Sequence, residues 1–225
     1  MQEKPVAIIP ARGGSTGIPR KNIFMINGLP LIHYTIQAAL DAQIEGLEVY
    51  VSTEDSEIAK ISTQYGIHII DRPSELSMDT TSTEAVIIHA LEILTMGSFI
   101  ASPIILLQAT SPLRSAREIE AAYECFILTG ADSLLSVNLD HGLYWSGSPD
   151  QPKPEYDIRN RPRRQDMSPL YRENGALYIT KPEIYLKYKN RLGGKIILYP
   201  MDSLSSVDID EPTDIKIAQC LLSTP

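Results

Sequence analysis

The sequence predicts an α/β protein, a mostly parallel sheet held between helices. Short apolar runs bounded by turn residues recur along the chain, helical patterns alternate with them, and a glycine-rich basic turn follows the first run directly. The runs are Val6 to Ile9, Leu47 to Val51, Ile67 to Ile70, Ile104 to Leu107 and Leu134 to Val137. Each is too short for a helix and apolar on both faces, as a strand covered on both sides must be.

Between them the period changes. Pro30 opens a helix at a position that tolerates proline, with Ile32, Ile36, Ala39 and Leu40 on its inner face. Asp55 caps a second, which turns Ile58, Ile61 and Tyr65 inward and stops at Gly66. Ser82 begins a third, carrying Val86, Ala90, Leu91 and Leu94 before Gly97. Ser115 and Glu118 form a capping box for a fourth, whose stripe is Ile119, Ala122, Tyr123 and Phe126. From about Asp140 to Ser168 the pattern breaks into a Pro-, Gly-, Asp- and Arg-rich excursion ending in Arg159, Arg161, Arg163 and Arg164. Order returns at Gly175 to Ile179 and Lys195 to Tyr199, and an apolar helix from about Thr213 to Leu222 follows.

With 225 residues, 43% of them hydrophobic, the chain reads as a single domain, 1–225, with the segment 140–168 an arm within it. Acidic residues outnumber basic ones, 28 to 20, for a formal charge of -8. That balance argues against nucleic acid and anionic membranes as partners, and any polyphosphate must be held locally. The arginine cluster lacks the interleaved aromatics of a single-strand binder. Cys125 and Cys220 form no metal-ligand pair, the four histidines have no ligand spacing, and no apolar window reaches membrane-spanning length. A soluble, cytoplasmic protein is the expectation.

Four stretches carry chemistry. After the first strand, Ala11, Arg12, Gly13, Gly14 and Ser15 lead to Pro19, Arg20, Lys21 and Asn22. Backbone N–H groups freed by glycine can close on phosphate oxygens, Arg12 and Lys21 add charge, and Asn22 can read a base or ribose edge. The spacing is neither that of a Walker loop nor that of a dinucleotide fingerprint. Gln108, Thr110 and Ser111 follow a buried strand and emerge on the same rim, suited to a second substrate, and Arg72 and Asp79 lie in a loop on that rim. In Ser206-Val207-Asp208-Ile209-Asp210, residues two apart in an extended segment point the same way. Asp208 and Asp210 thus converge as a hard-oxygen site for Mg2+, while Val207 and Ile209 pack away.

Together with Arg72-Pro73 through Asp79-Thr80, the run Leu107 to Arg114, and Arg163 to Asp166 with Glu173 to Ile179, these stretches resemble the acylneuraminate cytidylyltransferases, also called CMP-sialic acid synthetases. The likeness runs in order over nearly the whole chain. It implies a Rossmann-like nucleotidyltransferase fold and the reaction of CTP with an acidic nine-carbon 2-keto sugar to give CMP-sugar and diphosphate, with Mg2+. By motif match, Arg12, Lys21 and Asp210 would be catalytic. The nucleotide would contact Ala11, Arg12, Gly13, Gly14, Ser15, Lys21, Asn22, Arg72, Asp79 and Ser82, and the sugar Gln108, Thr110, Ser111, Arg164 and Asn174. Asp208 and Asp210 would bind metal.

The excursion would be a dimerisation arm reaching into the neighbouring subunit's site, making the protein a homodimer. Three positions depart from the family pattern. Thr16 replaces a lysine of the phosphate loop, with Arg20 the candidate to compensate. Ala109 replaces a proline, and the arm around Asp140 to Trp145 lacks a lysine near the sugar. Activation of legionaminate, pseudaminate or Kdo, or a non-catalytic nucleotide-sugar binding role, are the alternatives.

Overall fold

The computed structural model describes residues 2–15, 17–97 and 99–223. In chain order these form β1 (Glu3–Pro10), the short pair β2 (Met25–Ile26) and β3 (Leu29–Pro30), α1 (Leu31–Asp41), β4 (Glu48–Thr53), α2 (Ser56–Thr63), β5 (His68–Asp71) and α3 (Thr83–Leu94). There follow β6 (Ile100–Leu107), α4 (Ala116–Thr129), β7 (Ser133–Asp140), β8 (Trp145–Ser148), β9 (Gln151–Pro154), β10 (Leu170–Thr180), α5 (Pro182–Tyr188), β11 (Ile196–Pro200) and α6 (Pro212–Leu222).

Among the described residues a seven-stranded sheet runs in the order β11-β7-β10-β6-β1-β4-β5. Pairing is parallel from β6 through β1 and β4 to β5, and again between β7 and β11. β10 runs antiparallel to both of its neighbours, β6 and β7. The alternation along β1 explains the layers. Ala7 and Ile9 face one hydrophobic cluster with Ile32, Ile36, Ile58 and Phe126, while Val6 and Ile8 face another with Ile87, Leu91, Leu135 and Tyr185. Each fully buried aliphatic side chain contributes about 1.5–3 kcal/mol, so both faces of the sheet must be covered.

The predicted caps form. The Asp55 carboxylate accepts the Glu57 and Ile58 N–H groups, the Ser82 hydroxyl accepts that of Ala85, and Ser115 with Glu118 closes a capping box. Leu40 is a correction: it is 42% exposed, and α1 buries Leu31 and Thr35 instead. At 100° per residue, position 40 has rotated off the face defined by 32, 36 and 39. The Asn27-Gly28 turn joining β2 and β3 places both residues at positive φ, as a tight hairpin requires.

A third cluster is small but decisive. Ile18 from the basic loop, Ile26 and Leu31, Ile209 from the acidic segment, and Ile215 and Ala218 of α6 pack together, so one apolar knot fixes both site loops. The excursion 140–168 includes the hairpin β8–β9 and continues a β7–β10 ribbon in which Leu170 pairs with Asp140. Among the described residues no helix is long and apolar enough to cross a membrane.

Candidate active site

Strands paired in parallel share a direction, so β1, β4, β5 and β6 bring their carboxyl ends to one edge. The chain steps from β1 out to β4 and β5, then returns to β6 on the other side of β1. The loops after β1 and β6 therefore part, and ligand crevices open at such a reversal. A cleft of about 430 Å3 lies there. Arg12, Ser15, Gly17, Lys21 and Asn22 line it from the β1 loop, Arg72, Asp79, Thr81 and Thr83 from the β5 side, Gln108, Ala109 and Thr110 from the β6 turn, and Asp210 from the acidic segment.

The acidic segment, 207–210, is not a strand, but it is held as firmly as one. Ile209 is fully buried, its N–H donates to the Thr110 carbonyl at 2.9 Å, and Lys21 Nζ donates to its carbonyl at 2.7 Å. The same ammonium reaches Asp210 Oδ1 at 3.0 Å. Gly17 lies beneath, where a Cβ would come within 2.7 Å of the Asp210 carbonyl, so only glycine permits that approach. Asp208 is half-buried. Burial, joined by the Asp210 charge, pushes its carboxyl above the usual range, against a hydrogen bond from Thr110 and the Lys21 charge. Among the described residues its Oδ1 is buried without a hydrogen-bond partner.

Asp210 also borders a second cavity of about 430 Å3, with Arg172, Glu173, Asn174, Ser206, Asp208 and Asp214. The two cavities share that aspartate. Asn174 is fixed in this wall: its Oδ1 accepts from Ser136 Oγ at 2.6 Å, and its Nδ2 donates to Asn138 Oδ1 at 2.9 Å and to Ser206 Oγ at 3.0 Å. Behind it the Tyr178 hydroxyl donates to Glu173, Arg191 lies over the Tyr178 ring, and Arg191 Nε pairs with Glu84 Oε1 at 2.6 Å.

Not every sequence-predicted residue reaches these cavities. Ala11 is buried, its N–H donating to the Ser52 carbonyl, and Ser111 is turned inward at 1% exposure because the chain bends after Gln108. Ser82 caps α3, and its neighbours Thr81 and Thr83 line the cleft. Gly13 gives its N–H to Glu54, Gly14 has open space around it, and the Asn22 amide donates to the Arg12 carbonyl at 2.9 Å while bordering the cleft. Arg12 pairs with Asp79 Oδ1 at 2.7 Å. Arg164 is exposed in the arm and lines neither cavity of its own chain. Thr16 lies outside the described residues. Arg20, the candidate to compensate for it, is held bidentately by Asp55 and also by Glu57, away from the cleft.

Sequence reasoning missed Glu54, Arg172, Glu173 and Asp214. A carboxylate at a strand's carboxyl end was the available signal for Glu54, and the reversed direction of β10, which aims Arg172 and Glu173 at the rim, had none.

Residues 6–139, more than half of the chain, match the Cytidylyltransferase family. The chain is 36% identical over 218 residues to the N-acylneuraminate cytidylyltransferase A of Danio rerio, covering 95% of this chain and 49% of that protein. It is 34% identical over 228 residues to the N-acylneuraminate cytidylyltransferase of Escherichia coli O18:K1:H7 (strain RS218 / NMEC), covering 97% and 52%. The chain thus spans about half the length of the curated relatives it matches. The fold is shared with CMP:2-keto-3-deoxy-manno-octonic acid synthetase complexed with CTP (TM-score 0.71, 17% identity, 98% of each chain). It is also shared with 4-diphosphocytidyl-2C-methyl-D-erythritol synthase (TM-score 0.73, 13% identity, 99% of each chain). A cleft at the sheet's reversal, walled by the matched segment, is what that likeness leads one to expect, and the chain belongs to the cytidylyltransferase family.

Proposed function

We propose that the chain transfers a cytidylyl group from CTP to an N-acylneuraminate, giving CMP-N-acylneuraminate and diphosphate. The observation that carries this reading is the meeting of Lys21 with Ile209 and Asp210 where the two cavities join. A nucleotide in the first cavity and an acidic sugar in the second would then face each other across one aspartate. The names of the relatives, N-acylneuraminate cytidylyltransferases, supply the substrate class.

In this reading Arg12 and Lys21 hold the triphosphate, while Asn22, Arg72, Asp79 and the neighbourhood of Ser82 receive the nucleoside. Gln108 and Thr110 from the wall of the first cavity and Asn174 from the second orient the sugar where the two cavities join, so that its anomeric hydroxyl attacks the α-phosphorus and diphosphate departs toward the basic loop. Placement of the reactants and fixed cations supply the acceleration. The donor set fits a divalent cation: Asp208 has an orphaned buried oxygen and Asp210 is largely exposed on the cleft. Asp208 and Asp210 would hold Mg2+, two carboxylates being the usual protein share when phosphate oxygens complete the shell. When bound, the ion supplies positive charge beside the polyphosphate and lowers the pKa of a coordinated hydroxyl.

The chain acts as one catalytic domain whose arm, 140–168, joins a second copy and brings Arg164 to the partner's sugar site. The small cysteine count, Cys125 and Cys220 alone, supports a cytoplasmic place of action. Diphosphate release with CTP, MgCl2 and a panel of acidic sugars tests the reading. Release with N-acetylneuraminate is expected; release with Kdo alone, or CTP binding without turnover on any sugar, would overturn it.

A further inference from the structure

At the carboxyl end of β4 the chain makes an acidic turn, Glu54-Asp55, whose side chains line neither cavity. Both grip a loop that does. Glu54 Oε1 accepts the Gly13 N–H at 2.7 Å, and its Oε2 accepts Ser77 Oγ and Arg72 Nη2, each at 2.8 Å. Asp55 accepts Arg20 Nη1 at 2.6 Å and Nη2 at 3.1 Å, and it stands so close to Gly13 that a Cβ there would overlap its carboxylate. The basic loop is therefore fastened at its first glycine and at its last arginine, and the stretch between carries Ser15 and Gly17 into the cleft. Glu54 also fastens the loop after β5, which forms the opposite lip.

The role is not helix capping, because Asp55 alone accepts the first N–H groups of α2. All three Glu54 partners lie in loops of the site. Arg72 is 5% exposed and its Nε has no partner among the described residues, so Glu54 is its counter-charge. Burial disfavours charge on Glu54, but the donors from Gly13, Ser77 and Arg72 outweigh it and hold the carboxyl below its ordinary range.

We infer that Glu54 is a positioning residue for the nucleotide, a clasp that sets the separation between the phosphate-facing loop after β1 and the nucleoside-facing loop after β5. This rests on the CTP-dependent reading above. Because Glu54 acts on the shape of the cleft and not on the reacting atoms, its loss should weaken CTP binding and spare the chemical step.

The test measures CTP binding by calorimetry with MgCl2, and steady-state kinetics, for Glu54→Gln, Glu54→Asp and Ser77→Ala. Glu54→Gln keeps the shape but loses the charge, and should raise the Kd and KM for CTP about tenfold, with kcat within about threefold and the KM for N-acetylneuraminate within about twofold. Glu54→Asp should recover part of that loss. Ser77→Ala removes one half-buried loop donor and leaves the core unchanged, and should raise the Kd about two- to threefold, so it decides the matter if Glu54→Gln does not fold. Wild-type affinity in Glu54→Gln or Ser77→Ala overturns the clasp alone, as does a fall in kcat with unchanged KM. A wild-type protein that fails to bind CTP overturns the clasp and the functional reading together.

Discussion

Asp210 borders both cavities, and its carboxylate meets Lys21 at 3.0 Å across a surface ion pair. Such pairs contribute only about 0–1 kcal/mol to stability, so the proposed role of Asp210 in the reaction can be tested apart from the fold. Asp210→Ala should abolish diphosphate release while thermal unfolding shifts by less than about 1 kcal/mol; near-normal release would remove Asp210 from the mechanism. Glu84 is the opposite case, with its carboxylate and the Arg191 guanidinium both largely buried. Burial opposes its ionisation, but hydrogen bonds from Arg191 and its charge prevail and hold the Glu84 carboxyl below the ordinary 4.5. A carboxyl held low stabilises the folded state above its unfolded pKa, and that contribution disappears as pH falls through the folded value. Glu84→Gln should therefore cost about 2 kcal/mol at pH 7, and denaturant titrations should show the gap from wild type closing below pH about 4.5.

Among the elements, the apolar knot of Ile18, Ile26, Leu31, Ile209, Ile215 and Ala218 does what no hydrogen bond does alone, locking the basic loop and the acidic segment to one support. Ile209→Ala should cost about 3 kcal/mol by cavity formation. It should also reduce CTP turnover below the activity of an equally destabilised core variant such as Ile119→Ala, because it loosens Asp208 and Asp210 as well as the core. Equal losses in the two variants would show that the knot carries stability only.

The strands and four helices around the first cavity were legible because burial on two faces leaves a plain apolar run and burial on one leaves a 3.6-residue stripe. The chemistry of Lys21 and of Asp210, which the structure brings together, was legible separately, as a basic loop after a strand and a paired-carboxylate segment. The reversal of β10 was not, since strand direction depends on partners far away in sequence. Nor was the capture of Arg20 by Asp55, because a capping aspartate and a phosphate-binding arginine each look complete alone. The hairpin β2–β3 was marked by Asn27-Gly28, but its strands are too short for periodicity to register.

At the scale of the whole molecule, Tyr144, Trp145 and Ile158 of the arm and Leu139, Leu170 and Tyr171 of the adjoining ends of β7 and β10 are all exposed. Exposed apolar side chains concentrated on one segment are consistent with the proposed subunit contact. In the proposed dimer these side chains are covered by a second copy. Trp145→Asp should convert the dimer to monomer in sedimentation velocity and lower activity at dilute concentration; a monomeric wild type would dismiss the arm as the subunit contact.

The fold also divides its labour along the chain. Everything that borders the first cavity, Asp210 excepted, precedes residue 111, whereas the second cavity is built wholly from residues 172–217. Substitutions confined to the side chains that line the second cavity leave the lining of the first unchanged, Asp210 excepted. In the proposed reaction, the preference for the nucleotide and the preference for the acid can accordingly drift separately in evolution, tied together by one shared aspartate.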